Sequence, residues 1–336
     1  MLIAGDIGGT KTLLALYAPD AGIRRPVAQN EYHSADYASL EPMVLEFLAT
    51  AKQTATAACF DVAGPVIDGR AHLTNLPWNL EEATLRTGLG LRQATLLNDL
   101  KAVAYAVPFL DAGELHTINA GKPVANGPIG VIAPGTGLGE AFLVWAGKAY
   151  IACASEGGHA SFSPKGPRQI ELLGYLARKF GHVSTERVCS GQGIANIYDF
   201  LRDSSPGVET AAFAKTLAAA HDRTPVISKA ADEDPAGHPL CVEAIGLFID
   251  VLGDAAGNLA LKVMATGGLY IGGGIAPRMI GHLSDGALLR AFTAHGRMAE
   301  LLSSIPVQII IAQAALLGAA QYGLDHMSLD QTSGAG

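Results

Sequence analysis

The chain has 336 residues, 49% of them hydrophobic and 16% charged, with a formal net charge of −8. That length allows two domains, each with its own core, and the acidic balance excludes a broad basic face for nucleic acid, so any polyphosphate has to be held by local backbone amides. Cys59, Cys153, Cys189 and Cys241 are scattered without C-x-x-C spacing, which argues against a zinc centre or a disulfide framework and for reduced thiols in the cytoplasm.

The first predicted element is "AGDIGGTKT", Ala4 to Thr12, behind an opening "MLIAGD" that carries no basic leader. It fails the Walker A template, because Lys11-Thr12 follows Thr10 rather than a glycine, and its glycines do not fall at the positions of a dinucleotide fingerprint. Both of those motifs open a helix, whereas "TLLALYA" is apolar and β-favouring, so the chain reads strand, glycine turn, strand. "SLEPMVLEFLATAK" then reads as a helix, "ATAACFDVAG" as a buried strand, and "ATLLNDLKAVAYAVPFL" as a strand running straight into a helix at Asn98-Asp99. The opening device returns in "GVIAPGTGLGEAFLVWAGKAYIA", a strand, a loop with glycines at 135, 137 and 139, and a strand, with a hairpin turn at Ala146-Gly147-Lys148. Two such hairpins suggest a duplicated domain with a phosphate between the halves, since glycine turns form anion-binding nests of backbone amides. The chain beyond is mostly helical, including a long pattern from about Gly237 to Met264. "GGLYIGGGIAPRM" gives a short strand ending in three glycines, with Pro277 starting a helix. A strand at Val307 to Ile311 and a helix from about Gln313 to Leu324 complete the pattern. The apolar run "IPVQIIIAQAALLGAA" is interrupted by Gln308 and Gln313, so no membrane span is expected.

Several residues in this pattern suit chemistry, each with a plainer structural alternative. Asn98-Asp99 lies at a strand's carboxyl end, where open α/β sheets place ligands, and the same residue types are favoured as helix N-caps. "SEGGHASF" puts Glu156 and His159 three apart, but Gly157 and Gly158 argue against a metal-binding helix and for a loop that presents both side chains or is simply solvated. "STERVCSGQG" sets Glu186, a functional acid or an exposed charge paired with Arg187, ahead of a Ser-Gly-x-Gly turn into a helix. Gly272 to Gly274 suit a tight strand-to-helix turn. Asp6 ends the first buried strand beside the glycine turn, a place for a turn cap or for an acid holding a magnesium-bound water.

The succession "GDIGGTKT", "FDVAGPV", "LTNLPW", "LLNDLKAVAYAVP", "APGTGLG", "SEGGHASF", "ERVCSGQG" and "GLYIGGGIAPR" closely resembles the bacterial ATP-dependent glucokinases, from about residue 2 to residue 325. These belong to the hexokinase, actin and heat-shock-chaperone ATPase superfamily. The resemblance implies an α/β fold of two ribonuclease-H-like, actin-like ATPase domains with a cleft between them. It also implies transfer of the γ-phosphoryl of MgATP to the 6-hydroxyl of D-glucose, a glycolysis-entry step in the cytoplasm, by a homodimer. By the same resemblance Asp6 orients hydrated Mg²⁺, Gly8, Gly9 and Thr10 approach the transferring phosphate, and Gly135, Thr136 and Gly137 hold the β and γ groups. Gly272, Gly273 and Gly274 correspond to the adenosine-binding turn. Asn98, Asp99, Glu156, His159 and Glu186 match the sugar-binding residues, Asp99 as the base, with Thr74 and Asn75 in support. Such a set suits a pyranose, whose hydroxyls are each donor and acceptor, and rejects analogues that leave a buried partner unsatisfied.

Lys11 stands where members often carry Asn, and the sequence leaves its direction open; Pro134 and Gln192 also depart from the usual residues. The expected domains are residues 1–109 with 312–327, residues 110–311, and a flexible tail over 328–336. Alternative readings are a kinase for mannose or an amino sugar, a non-catalytic sugar sensor, and a sugar-responsive repressor. The last is disfavoured by a phosphate loop that begins at residue 6 and by the lack of a Cys-rich zinc motif.

Overall fold

The computed structural model describes residues 1–73 and 76–333, with side chains described as far as Met327. The chain divides into two compact units, one of Met1–Glu114, Ala146–Ala154 and the chain from Ala312 on, the other of Leu115–Trp145 and Ser155–Ile311.

In the first unit β1 (Leu2–Ile7) and β2 (Lys11–Tyr17) form an antiparallel hairpin, with β3 (Ala28–His33) antiparallel to β2. Helix α1 (Leu40–Ala51) leads to β4 (Ala57–Val62), which runs parallel to β1. Short strands β5 (Val66–Ile67), β6 (Arg70–His72) and β7 (Asn79–Glu81) make a small separate sheet before α2 (Glu82–Gly88). Strand β8 (Gln93–Asn98) is parallel to β4 and passes directly into α3 (Asp99–Ala106), completing the order β3-β2-β1-β4-β8.

Side-chain alternation explains why these strands read as nearly continuous apolar runs, since both faces are covered. Ile3, Leu14, Leu16 and Phe60 pack with Met43, Val44 and Phe47 of α1. Leu2, Ala4, Ala15 and Cys59 pack on the other face with Leu316, Ala319 and Ala320 of the C-terminal helix, Ala314–Ser333. Each of the large side chains buried there, Phe60 among them, contributes about 1.5–3 kcal/mol. The C-terminal helix runs through positions 328–333, which the sequence reading gave to a tail, and residues 334–336 lie outside the described residues. The unit also keeps residues 110–114, beyond the expected boundary at 109. Arg24 accounts for this, donating to Phe109 O (2.6 Å) and to both Glu114 carboxylate oxygens (2.7 and 2.8 Å). The hairpin turn at 146–148 closes through Ala146 N donating to Ala149 O, with Gly147 at φ +87°.

The second unit contains β9 (Leu115–Asn119), β10 (Ile129–Pro134) and β11 (Leu138–Trp145), while β12 (Tyr150–Ser155) lies mostly with the first. Five helices follow, α4 (Gly166–Phe180), α5 (Gly191–Ser204), α6 (Ala211–Ala219), α7 (Thr224–Glu233) and α8 (Pro239–Val263). Then come β13 (Gly268–Ile271), α9 (Ile280–Leu283), α10 (Ala287–Thr293), α11 (Ala299–Ser304) and β14 (Val307–Ile310). The unit's own strands lie in the order β11-β10-β13-β14-β9. Helix α8 is apolar around most of its circumference because α5, α7, α10 and β10 all pack on it.

The two units repeat one topology. In each, a hairpin's first strand pairs antiparallel with its second and parallel with the next strand inward: β1 with β2 and β4, then β10 with β11 and β13. The duplication read from the two glycine loops is therefore a duplication of sheets.

Candidate active site

In the first unit the site residues gather at the carboxyl ends of three parallel strands. The turn between β1 and β2 is closed by Gly8 N donating to Lys11 O (3.0 Å). Ser34, fully buried after β3, braces it: its hydroxyl donates to Gly8 O (2.8 Å), and its N–H donates to Thr10 O (3.0 Å). Lys11 turns away from the loop and forms an exposed ion pair with Glu31 at 2.5 Å.

Of Asn98 and Asp99, the capping role that local sequence leaves open falls to Asn98. Asn98 is the N-cap of α3, its Oδ1 accepting from Lys101 N (3.1 Å), while its Nδ2 donates to Gly64 O (3.0 Å) and to Asp99 Oδ1 (2.9 Å). Leu100 N also donates to Asp99 Oδ1 (2.8 Å), so the Asp99 carboxylate is oriented by two donors and does not serve as the cap.

Asp6 stands opposite Asp61 in the parallel register of β1 and β4, which sets the two residues one strand spacing, about 4.8 Å, apart. Burial raises the pKa of Asp6. Asp61 lies well above the carboxylate range, through burial and then the charges of Asp6 and Asp99. Asp61 was missed in the sequence reading; its signal is an acid inside "ACFDVAG", a segment whose strand is buried at every position. Among the described residues no group of three or more His, Cys, Asp or Glu is arranged to hold a metal. Asp6 and Asp61 are hard oxygen donors, the type that an ion such as Mg²⁺ takes one or two of while it keeps most of its waters.

In the second unit the turn after β10 is tied on two sides. Gly135 N donates to Gly137 O (2.8 Å), and Gly191 N at the start of α5 donates to Gly135 O (2.8 Å). Glu186 accepts from Leu138 N through Oε2 (3.0 Å), and a β-carbon at Gly137 would collide with that same carboxylate oxygen. Glu186 is thus a half-buried brace of the turn and not an exposed partner of Arg187. Its segment is fixed by Ser190, which donates to Glu186 O (2.7 Å) and caps α5 by accepting from Gly193 N (3.0 Å).

Glu186, Glu156 and His159 come together. His159 Nδ1 is 3.9 Å from Glu186 Oε1, and its Nε2 is 3.8 Å from Glu156 Oε2, so the imidazole lies between two carboxylates. Gly157–His159 form a single 3₁₀ turn, which presents Glu156 and His159 with side chains 69% and 62% exposed. The Gly272–Gly274 turn adjoins the β10 turn, with Gly272 N donating to Ile132 O (2.8 Å), Ile275 N donating to Pro134 O (3.3 Å) and Gly273 at φ +79°. The nucleotide residues expected in this unit therefore lie along the ends of two adjacent parallel strands. Thr74 and Asn75 lie outside the described residues.

The family model for glucokinase matches residues 3–326. The glucokinase of Nostoc punctiforme is 41% identical, covering 95% of this chain and 98% of the relative. That of Synechocystis sp. is 40% identical, covering 95% and 96%. A solved glucokinase structure from an Antarctic psychrotroph has a TM-score of 0.82 at 34% identity, covering 96% of this chain and 98% of the other. A ROK family glucokinase from Streptomyces griseus, in complex with glucose and AMPPNP, shares the fold with a TM-score of 0.65 at 20% identity, covering 96% and 99%. The fold is the two-domain actin-like ATPase fold, with a duplicated α/β sheet. With a family match over nearly its whole length and relatives at 40–41% identity that it spans almost end to end, this chain belongs to the glucokinase family.

Proposed function

We propose that the protein transfers the γ-phosphoryl group of MgATP to the 6-hydroxyl of D-glucose, giving glucose 6-phosphate and ADP. The observation that carries the residue assignment is Asp99, whose carboxylate is oriented by Asn98 Nδ2 and Leu100 N at a strand's carboxyl end while Asn98 does the capping. Asp99 takes the proton of the attacking hydroxyl as the phosphoryl bond forms.

Glu156, His159 and Glu186 pair with sugar hydroxyls, for which an imidazole between two carboxylates offers both donors and acceptors. Asn98, Thr74 and Asn75 complete the proposed sugar set. The turns Gly8, Gly9, Thr10 and Gly135, Thr136, Gly137 face the phosphates as anion nests through the amides of Gly9, Thr10, Thr136 and Gly137, while those of Gly8 and Gly135 close the turns themselves. Gly272, Gly273 and Gly274 lie against the adenosine, and Asp6 holds a water of Mg²⁺. The metal supplies charge neutralisation on the β and γ oxygens. The four cysteines are unpaired, which accords with a cytoplasmic protein, and among the described residues no helix is long and apolar enough to cross a membrane. Homodimerisation, which the family resemblance implies, belongs to the same reading, and sedimentation of the purified protein tests it.

A coupled assay with glucose, mannose and glucosamine against ATP, ADP and polyphosphate tests the function. The expected result is the highest kcat/KM for glucose with ATP. A higher value for mannose or glucosamine would reassign the substrate, and binding without turnover would make the protein a sensor.

A further inference from the structure

Against the turn that carries Glu156 and His159 lies a cavity of about 190 Å³, formed wholly within the second unit. Neither of those side chains lines it, nor does Glu186. One wall is a single face of α8, where Val251, Asp254, Ala255, Asn258 and Lys262 recur three and four residues apart. Facing it are Gly157 and Ala160 of the turn, the segment Ser161–Ser163 that follows, and Thr185, which immediately precedes Glu186. Thr185 N donates to Ala160 O (2.8 Å), tying together at the cavity's edge the two segments proposed to bind sugar.

The cavity holds two buried acids in different states. Asp254 is spent on Lys165, which also donates to Ala294 O (3.0 Å). Glu140 of β11, only 8% exposed, has no such partner: burial raises its pKa, the charge of Lys262 opposes that rise, and no described residue donates to its carboxyl group. A β-carbon at Gly157 would collide with Glu140 Oε2, so the glycine leaves the acid its place beneath the turn. A buried carboxyl group without a donor is unfavourable, and a ligand that brings one relieves it. The rest of the lining selects that ligand. Asn258, Ser161 and Ser163 supply further donors and acceptors, whereas Phe162, Val251 and Ala255 form an apolar wall. Hydroxyl groups on a short carbon chain suit both surfaces, since each hydroxyl both donates and accepts. An ammonium ligand would meet Lys262, and among the described residues no cluster suits a metal ion. We propose that this cavity binds a small neutral polyhydroxy compound through Glu140 and Asn258, and that its occupancy raises affinity for glucose by fixing the turn that presents Glu156 and His159. The coupling rests on the sugar reading given above; the binding does not.

Calorimetry with xylitol on the full-length protein tests the site in wild type, Glu140→Gln and Asn258→Leu. Both variants should bind xylitol about 10-fold more weakly, as loss of a buried hydrogen bond implies. Saturating xylitol should lower the Kd for glucose about 5-fold in wild type, within the usual range of coupling between sites, and leave it unchanged in the variants. Should Glu140→Gln not fold, Asn258→Leu, at a partly exposed position, carries the comparison alone. A glucose titration identifies the source of the occupant: a second, weaker glucose site that is lost in Asn258→Leu makes it another substrate molecule, and a single glucose site leaves the cavity to a polyol that is not a substrate. Equal xylitol affinity in wild type and variants, or no xylitol binding at all, would overturn the site. So would xylitol that raises the apparent Kd for glucose, which places it among the proposed sugar residues. Xylitol binding that the variants lose, with an unchanged Kd for glucose, would keep the site and overturn the coupling. Absence of glucose binding would overturn the sugar reading instead, and the xylitol comparison would still decide the cavity.

Discussion

The turn at Gly8–Thr10 and the turn at Gly135–Gly137 occupy the same place in two copies of one sheet topology, yet they are braced by different chemistry. The first is held by a neutral side chain, the Ser34 hydroxyl donating to Gly8 O. The second is held by a charged one, the Glu186 carboxylate accepting from Leu138 N, with the helix start at Gly191 on its other side. Topology therefore decides where a glycine turn falls, and the brace decides what the turn is coupled to. Disturbing the first should alter phosphate handling alone, whereas disturbing the second should reach the residue proposed to bind sugar.

The largest expected effect comes from a residue in neither turn and gives the reference for loss of chemistry alone. Asp99→Asn should lower kcat by about 10²- to 10⁴-fold, the range for a positioned general base, toward the low end because the alcohol proton leaves late in a loose transition state. Glucose affinity by calorimetry and Tm should stay near wild type, since Asn98 caps α3. Wild-type turnover in a folded variant would remove Asp99 from the mechanism.

A β-carbon at Gly137 would meet the Glu186 carboxylate, while at Gly135 it would meet nothing within 4 Å. Gly137→Ala should therefore push the Glu186 carboxylate, the movable end of a flexible side chain, off Leu138 N, costing about 0.5–1.5 kcal/mol for the lost hydrogen bond, and raise KM for both glucose and ATP. Gly135→Ala should keep the wild-type Tm. An unchanged KM for glucose in Gly137→Ala would falsify the coupling of the second turn to the sugar residues.

On the first turn, Ser34→Ala removes the donor to Gly8 O and the buried contact with Thr12 Oγ1 (3.0 Å). The expected loss is about 1–2 kcal/mol of stability in urea melts, with a raised KM for ATP and unaltered glucose affinity. A matching rise in the KM for glucose would erase the difference between the two braces. The smallest effect is that of Lys11→Ala. Its ion pair with Glu31 is exposed on both sides, so stability should change by less than about 0.5 kcal/mol, and KM for ATP should hold. A severalfold rise in that KM would return Lys11 to the phosphates.

By itself the sequence determined what local chemistry can write. A glycine run between two β-favouring segments has to be a strand-turn-strand, so both turns, their duplication and the strand entering a helix at Asn98-Asp99 are legible without coordinates. So is the order of motifs that places the family. Tertiary structure decided what depends on register between distant segments. Asp61 becomes the neighbour of Asp6 only when β4 aligns parallel to β1, and Ser34 reaches the first turn only through the pairing of β3 with β2. Lys11 finds Glu31 across that same pair, and Glu186 reaches Leu138 N from 48 residues away in the chain. Periodicity reports which face a side chain takes on its own strand. Which strand lies alongside, and therefore which charge or donor a buried group meets, is set by packing of the whole sheet.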